Sequence, residues 1–184
     1  MEPLPLADLF PKPQPLEVEL GCGDASFLVE YARRHPEKNF IGVERLLGRI
    51  QKLDRKGRRL ELANLRGVRI ESTYFLRYLL PRHSAGALHI YFPDPWPKKR
   101  HHKNRMINEN FPQAAAGALL PRGVVYLRTD DAAYFEQMTE VFAAAKGFEK
   151  VETPAPLLEL TTDFERGFHS RGISTRHATY RLMK

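Results

Sequence analysis

Short apolar runs alternate with segments of helical spacing along most of the chain. The apolar runs predict seven strands, at 16–20, 39–44, 67–71, 87–92, 124–129, 148–152 and 178–184. Between them, apolar residues recur every three or four positions, which predicts amphipathic helices at 26–34, 45–62, 112–120 and 134–146. Strands that alternate with helices favour an α/β fold, a three-layer sandwich around a mostly parallel sheet.

The segment 45–62 carries two adjacent stripes when it is drawn as a helix. The apolar stripe consists of Leu46, Ile50, Leu53 and Leu60, with Gly57 at the remaining position. The neighbouring stripe is cationic and consists of Arg45, Arg49, Lys52, Lys56 and Arg59. This pattern predicts that one face packs on the sheet while the edge beside it presents positive charge.

The first 15 residues differ from the rest of the chain because five of them are prolines. Proline fixes φ and removes a backbone donor, so the pattern predicts an extended arm over 1–15 and no helix. The remainder shows no internal repeat and no change of composition. We therefore expect a single domain over 16–184.

Composition narrows the class of protein. The chain has 184 residues, 42% of them hydrophobic, which suffices for a packed core. It contains no apolar run long enough to cross a membrane and no secretory signal pattern, so we expect a cytoplasmic protein without membrane contact. Cys22 is the single cysteine and the histidines show no zinc-ligand spacing, so no metal site is predicted. The oligomeric state is not readable from these patterns.

Positive charge is concentrated in two places. The net charge is +7, yet 45–59 holds seven basic residues and one acid, and 98–105 holds five basic residues and no acid. The rest of the chain is therefore mildly acidic. Such local clusters indicate a polyanionic partner such as a nucleic acid. The alternative is two solvated faces.

A glycine-rich turn follows the first predicted strand. Gly21 and Gly23 lie between that strand and a helix, where a ligand can approach the backbone closely. Glu44 ends the second strand, 21 residues after Gly23, and can accept hydrogen bonds from ribose hydroxyls. Glu19, near the end of a central strand, favours a cofactor with a cationic group, such as the amino group of S-adenosylmethionine. The alternative for the glycines is a tight turn between a strand and a helix, and the alternative for Glu19 is an ordinary, partly exposed carboxylate.

The loop after the fourth strand carries the most specific motif, Phe-Pro-Asp-Pro-Trp-Pro-Lys-Lys-Arg-His-His-Lys over 92–103. Its alternating prolines exclude a helix and stiffen the backbone. Asp94 and Trp96 can hold a base by hydrogen bonding and stacking, while the cations that follow can hold phosphates.

Two further motifs have both a structural and a functional interpretation. Thr162 and Glu165 fit the spacing of a capping box at a helix start, and the same side chains can face a substrate. Asp130, after the fifth strand, can cap the next helix or accept hydrogen bonds from a substrate.

Taken together, these residues resemble the bacterial tRNA (guanine-N7)-methyltransferase family. The similarity rests on the motifs around Glu19, Glu44, Asp94, Asp130 and Asp163, which span most of the chain. It implies a Rossmann-like class I methyltransferase fold with seven strands, the last of them antiparallel. It also implies S-adenosylmethionine as cofactor and N7 of a guanine in the tRNA variable loop as the methyl acceptor.

The resemblance also implies residue roles. Asp94 would be the catalytic residue, and the cofactor would be bound by Glu19, Gly21, Gly23, Glu44, Ser72 and Asp94. Substrate would be bound by Lys98, Asp130, Thr162, Asp163, Phe164 and Glu165. The tRNA backbone would be bound by Lys99, Arg100, His101, His102, Lys103 and Arg105. Ser72 stands where the family has an aspartate near the adenine, so the sequence departs from the family pattern at this position.

Three other functions share parts of this pattern. An NAD-dependent oxidoreductase would use the same glycine-rich turn and Glu44, but it would not need the motif at 92–103. A non-catalytic RNA-binding protein on the same fold would keep the cations, and the Ser72 departure is what motivates it. A small-molecule methyltransferase would not need the cations.

Overall fold

The computed structural model describes residues 2–184, which form a central sheet with helices on both faces. The strands are β1 (Leu16–Leu20), β2 (Asn39–Glu44), β3 (Leu65–Arg69), β4 (Ala85–Tyr91), β5 (Leu119–Thr129), β6 (Phe148–Val151) and β7 (Arg176–Leu182). Their order across the sheet is β3-β2-β1-β4-β5-β7-β6. Neighbouring strands from β3 to β5 are parallel, whereas β7 pairs antiparallel with both β5 and β6. The predicted fold class is confirmed.

The helices are α1 (Leu6–Leu9), α2 (Ser26–Arg34), α3 (Leu47–Arg59), α4 (Ser72–Tyr74), α5 (Phe111–Ala118), α6 (Ala132–Ala144), α7 (Ala155–Glu159) and α8 (Asp163–His169). A π-helical turn (Phe75–Leu79) follows α4, and a 3₁₀ helix (Lys99–Asn104) precedes α5. The predicted element boundaries differ from these by a few residues, as backbone hydrogen bonding rather than apolar pattern sets the ends. The short elements after β3 and β6 lack a full apolar period, so the sequence pattern did not predict most of them.

The two faces of the sheet differ in chemistry. One face is apolar, with Val18, Leu88 and Ile90 packed against α5 and α6. The other face lies under α2, α3 and α7 and includes Phe40 and Tyr91. Polar residues are also buried on this second face, namely Glu17, Glu19, His89 and Arg128.

The N-terminal segment is not wholly extended. Residues Leu6–Leu9 form one helical turn, so the prediction of no helix in 1–15 is wrong at these positions. Proline causes no conflict there because Pro5 stands just before the turn, where a missing N–H breaks no hydrogen bond. Phe10 is buried in the core, and the Leu4 N–H donates to the carbonyl of Leu79 at 2.9 Å. The division into an arm over 1–15 and a domain over 16–184 stays a prediction.

Helix α3 is shorter than predicted, and its apolar stripe is only partly buried. Leu53 and Gly57 are buried against the sheet, as expected. Leu46 and Leu60 flank the helix rather than lie within it, and both are exposed. Their assignment to the buried stripe is therefore wrong.

Across residues 2–184, no helix is both long and apolar enough to span a bilayer.

Candidate active site

Several of the predicted site residues line one cleft where the parallel strands end. A cleft opens beyond the carboxyl ends of β1 and β4, which is where open α/β sheets bind ligands. Its lining includes Glu19, Gly21, Gly23, Tyr91, Thr162 and Phe164. Glu44, Ser72 and Asp94 lie outside that lining but follow or end the neighbouring strands β2, β3 and β4.

The glycine-rich turn after β1 adopts a conformation that favours glycine. Gly21 and Gly23 have φ of 84° and 53°. The N–H groups of Gly21 and Cys22 both donate to the carbonyl of Val43, at 2.8 and 2.9 Å, which ties the turn to β2. A Cβ at Gly21 would meet no atom within 4 Å, so the space beside the turn is open to a ligand.

Glu19 is a buried carboxylate with an unused acceptor. Its residue is 3% exposed, and its Oε2 has no hydrogen-bond partner among residues 2–184. Burial raises the pKa of Glu19 to about 8, although the positive charge of Arg128 acts in the opposite direction. A buried acceptor without a donor is unfavourable, so the arrangement suits a ligand that brings a cationic donor.

Glu44 is held differently. Its Oε1 accepts from the Leu46 N–H at 2.9 Å, and its Oε2 accepts from Nη1 of Arg49 at 3.3 Å. The carboxylate is therefore fixed at the sheet edge, with lone pairs left for a ribose. Ser72 begins α4 after β3 and is buried. It lies on the same edge of the sheet as Glu44, two residues after Ile70, whose N–H donates to the Glu44 carbonyl at 3.1 Å.

The loop after β4 has a strained and well-defined shape. Phe92 and Trp96 adopt left-handed φ values of 52° and 44°, which are unusual for side chains of that size. Asp94 is exposed, and its Oδ1 accepts from the Trp96 N–H at 3.1 Å. The Trp96 ring stands edge-on to His101 at 5.8 Å between centroids. The predicted absence of a helix is confirmed up to Pro97; a 3₁₀ helix begins at Lys99.

The cationic stretch after this loop divides into two kinds of residue. Lys98, Lys99, Arg100 and Lys103 are exposed, and His101 and His102 are half-buried. All of them can meet an anionic backbone.

Arg105 lies apart from these residues because it is buried. Its Nε donates to the carbonyl of Pro95 at 2.7 Å, and its Nη1 donates to Oε1 of Gln137 at 2.7 Å. The guanidinium also lies 4.7 Å from the centroid of the Tyr134 ring. These contacts hold the guanidinium between the loop and α6. Burial and these contacts indicate that Arg105 anchors the loop, and its assignment to the RNA-binding residues stays a prediction.

Three cations of the α3 stripe are likewise held by carboxylates. Arg49 contacts Glu44, and Lys52 and Lys56 contact Oδ2 of Asp24 at 3.4 and 3.3 Å. Asp24 belongs to the glycine-rich turn, so these lysines brace the turn. The predicted cationic edge is thus partly neutralised by Glu44 and by Asp24 of the glycine-rich turn.

The capping box predicted at Thr162 is confirmed. The Glu165 N–H donates to Oγ1 of Thr162 at 3.0 Å, and the Thr162 N–H donates to Oε2 of Glu165 at 3.0 Å. Both residues are buried, so their side chains serve the helix start. Asp163 and Phe164 are exposed on the first turn of α8, and the Phe164 ring lies over Gly23, 3.7 Å from the position that a Cβ there would take.

Asp130 does not cap α6. Asp131 takes that role, with its Oδ1 accepting from the Tyr134 N–H at 2.7 Å. The Asp130 carboxylate accepts no hydrogen bond from any other residue of 2–184 that the structure records. It remains available at the end of β5.

Sequence reasoning missed Arg128, on β5. The residue is 2% exposed, and its Nη1 donates to Oε2 of Glu165 at 2.7 Å. Its guanidinium lies 4.4 Å from the centroid of the Tyr91 ring. The alternation of side chains along β5 places Arg128 on the same face as Tyr126. Alternation shows that these two side chains share a face, but neither the burial of Arg128 nor its position beside the cleft follows from it.

Comparison with known proteins identifies the family. A family model described as putative methyltransferase matches residues 13–178. A tRNA (guanine-N(7)-)-methyltransferase of Aeromonas hydrophila is 36% identical over 93% of this chain and 74% of its own length. The chain belongs to the tRNA (guanine-N(7)-)-methyltransferase family.

Other members of the family give the same result. The member from Chromohalobacter salexigens is 36% identical over 97% of this chain and 74% of its own length. The member from Thermotoga maritima is 34% identical over 94% of this chain, but the chain spans only 56% of that relative's length. The family resemblance seen in the motifs is confirmed.

Solved structures of methyltransferases share the fold at low sequence identity. The 16S rRNA methyltransferase KamB has a TM-score of 0.70 over 99% of this chain and 95% of its own, with 16% identity. The aminoglycoside resistance methyltransferase NpmB1 has a TM-score of 0.64 over 96% and 91%, with 14% identity. They confirm the methyltransferase architecture, while the residue roles expected from the tRNA (guanine-N(7)-)-methyltransferase family stay predictions.

Proposed function

We propose that this protein transfers the methyl group of S-adenosylmethionine to N7 of a guanine in the variable loop of tRNA. The observation that carries the proposal is the unpartnered, buried Oε2 of Glu19 beside the open glycine turn. Family membership supports both the cofactor class and the acceptor. The same membership gives no support to the NAD-dependent oxidoreductase or to the small-molecule methyltransferase.

The residues at the strand ends fit S-adenosylmethionine. Glu19 would accept hydrogen bonds from the amino group of S-adenosylmethionine, so its buried oxygen would no longer lack a donor. The turn at Gly21 and Gly23 lets the backbone approach the cofactor closely. Glu44 would accept from the ribose hydroxyls, and Ser72 lies on the same edge for a contact near the adenine. When bound, the cofactor supplies an electrophilic methyl group on a sulfonium sulfur.

The chemistry asks little of a general base. Guanine N7 has an in-plane lone pair, so its methylation removes no proton. The protein's task is to align the acceptor with the methyl group and to exclude water. We propose that Asp94 accepts hydrogen bonds from the guanine N–H groups and stabilises the positive charge that develops on the ring. Asp130, Thr162, Asp163, Phe164 and Glu165 would shape the same pocket.

The exposed cations beside Asp94 would hold the tRNA backbone. Lys98 would reach the substrate next to the loop, and Lys99, Arg100, His101, His102 and Lys103 would contact phosphates. Each phosphate contact releases counterions, so affinity should fall by about 0.7 to 0.9 log units per log unit of salt for each contact. Replacement of Lys99, Arg100 and Lys103 by alanine should flatten that slope, whereas replacement of the exposed Lys146 and Lys150 should leave it unchanged. Equal slopes in the two variants would contradict this assignment.

The deciding experiment is methyl transfer from labelled S-adenosylmethionine to unmodified tRNA, with the product nucleoside identified by mass spectrometry. Formation of 7-methylguanosine is expected. Transfer to another base atom would overturn the acceptor assignment. Tight tRNA binding without transfer would favour the non-catalytic RNA-binding alternative.

The role of Asp94 has its own test. Asp94→Asn should lower kcat by about a hundredfold, because the charge that stabilises the cationic ring is lost while the side-chain shape stays. Glu140→Gln, an exposed carboxylate on α6, is the matched control and should keep full activity. Near-normal turnover of Asp94→Asn with unchanged guanine specificity would exclude the proposed role.

A further inference from the structure

We propose that Arg128 is a positioning residue for methyl transfer: it fixes the segment 157–165 so that the first turn of α8 stands opposite Glu19 across the cleft. This inference rests on the proposed function. It concerns a residue that contacts no reacting atom and acts through the segment that it holds.

Three acceptors of that segment converge on one guanidinium. Nη1 of Arg128 donates to the carbonyl of Leu160 at 2.9 Å and to Oε2 of Glu165 at 2.7 Å. Nη2 donates to the carbonyl of Leu157. The three acceptors lie in the middle of α7, between the helices and in α8, so a single side chain contacts both helices and the turn that joins them.

The guanidinium is itself held in one plane. It lies 4.4 Å from the centroid of the Tyr91 ring and 5.7 Å from that of Phe27. The Tyr91 hydroxyl is 2.8 Å from Nδ1 of His89, which fixes the ring beneath it. A planar fork on an aromatic face, with donors aimed at fixed acceptors, is a geometry that arginine provides and lysine does not.

The held segment consists of two short helices and the turn between them, with Leu157 and Leu160 buried in the core. Helix α7 has five residues, and α8 has seven. Exposed Asp163 and Phe164 lie on the first turn of α8, where the Asp163 N–H donates to Oγ of Ser26 at 3.2 Å. Phe164 lies over Gly23 and lines the cleft with Glu19. A shift of this turn would therefore move one wall of the pocket and leave the Glu19 carboxylate in place.

The expected signature is a separation of kcat from cofactor affinity. Arg128→Lys keeps the charge but cannot reach all three acceptors, so the α8 turn loosens. A misplacement of about 1 Å in a reacting pair lowers the rate by about a hundredfold. We expect kcat to fall between about tenfold and a hundredfold, while the dissociation constant for S-adenosylmethionine changes less than about threefold.

The experiment compares Arg128→Lys with two controls in the full-length protein. Arg181→Lys replaces an arginine on β7 that is paired with a carboxylate, Glu149, at 2.8 Å. Met138→Ala empties a fully buried site on the apolar face and lowers the free energy of unfolding without touching the cleft. Steady-state kinetics, calorimetry with S-adenosylmethionine, urea unfolding and amide hydrogen exchange are measured for each.

Faster exchange at 161–169 and reduced kcat in Arg128→Lys, with neither change in Met138→Ala, would support the proposal. Unchanged exchange at 161–169, or a loss of kcat that follows the loss of stability equally in Arg128→Lys and Met138→Ala, would overturn it. Hydrogen exchange needs no turnover, so it also decides the positioning claim if the wild-type protein forms no 7-methylguanosine. An absence of 7-methylguanosine would refute the proposed function but not the positioning role of Arg128.

Discussion

Glu17 and Glu19 stand two positions apart on the same strand and the same face, yet their surroundings are opposite. Glu17 is paired twice, with Nζ of Lys38 at 2.7 Å and with Nε2 of His89 at 2.8 Å. These partners outweigh burial and lower the pKa of Glu17 to about 2. Glu19 has one oxygen without a partner among residues 2–184, and burial raises its pKa to about 8.

The difference separates a carboxylate whose partners the protein supplies from one that we propose to bind a ligand. Burial alone does not distinguish them, since both residues are buried. What distinguishes them is whether the protein supplies the counter-charge. At the amino end of β1, Lys38 and His89 complete the network. At the carboxyl end, one buried oxygen of Glu19, a residue that lines the cleft, has no donor among residues 2–184, which fits the proposed ligand.

The largest expected effect comes from Glu19→Gln. Removal of one charge of a buried pair weakens binding by about 2 to 5 kcal/mol, so the affinity for S-adenosylmethionine should fall by about thirtyfold or more. Glu17→Gln is the matched control, and its affinity should stay within about twofold of the wild type. Calorimetry measures both. Equal affinities for the two variants would refute the distinction between the two carboxylates.

The second effect is on stability and concerns Glu17→Gln. The pKa of Glu17 is about 2 in the folded protein, below the ordinary value of 4.5, so its stabilisation is present above about pH 4.5 and is lost as the pH falls toward 2. By linkage the loss amounts to about 3 kcal/mol. Urea unfolding at pH 7 should show a deficit of that order in the variant, and the deficit should vanish near pH 2. A constant deficit at all pH values would contradict this origin.

Glu19 could be singled out from the sequence as a candidate site residue, whereas the network around Glu17 could not. The charge of Glu19 at a strand end next to glycines was a visible signal of a ligand. The pairing of Glu17 with His89 joins residues 72 positions apart and depends on β4 lying beside β1. Alternation shows which side chains share a face, but it does not show which strand is the neighbour. For the same reason Arg128 and its three acceptors were not foreseen.

Local motifs were predicted more successfully, except where burial decided the outcome. The capping box at Thr162 depends on residues three apart, so its spacing sufficed. Arg100 and Arg105 look alike in a cationic run, yet one is exposed and the other buried. The difference arises from Gln137 and Tyr134 of α6, which the local sequence around 105 does not contain.

A third prediction concerns the pH dependence of cofactor binding. With a pKa of about 8, Glu19 is mostly protonated at pH 6 to 7 in the free protein, and it must lose that proton to pair with a cationic amino group. Affinity for S-adenosylmethionine should therefore rise by about tenfold from pH 6 to pH 7, equivalent to about 1.4 kcal/mol. Calorimetry in buffers of different ionisation enthalpy should detect about one released proton. Glu17→Gln should keep this release, and Glu19→Gln should abolish it.

The smallest effect is expected from Lys38→Met. The Lys38 side chain is partly exposed, so its ion pair with Glu17 is screened by solvent and should contribute less than about 1 kcal/mol to the free energy of unfolding. His89 still holds the other oxygen of Glu17, and affinity for S-adenosylmethionine should not change. A double-mutant cycle with Glu17→Gln isolates the pair, because the two losses should not add. If Lys38→Met weakened cofactor binding instead, the two ends of β1 would be energetically coupled. The roles of Glu17 in the fold and of Glu19 in ligand binding could then not be treated as independent.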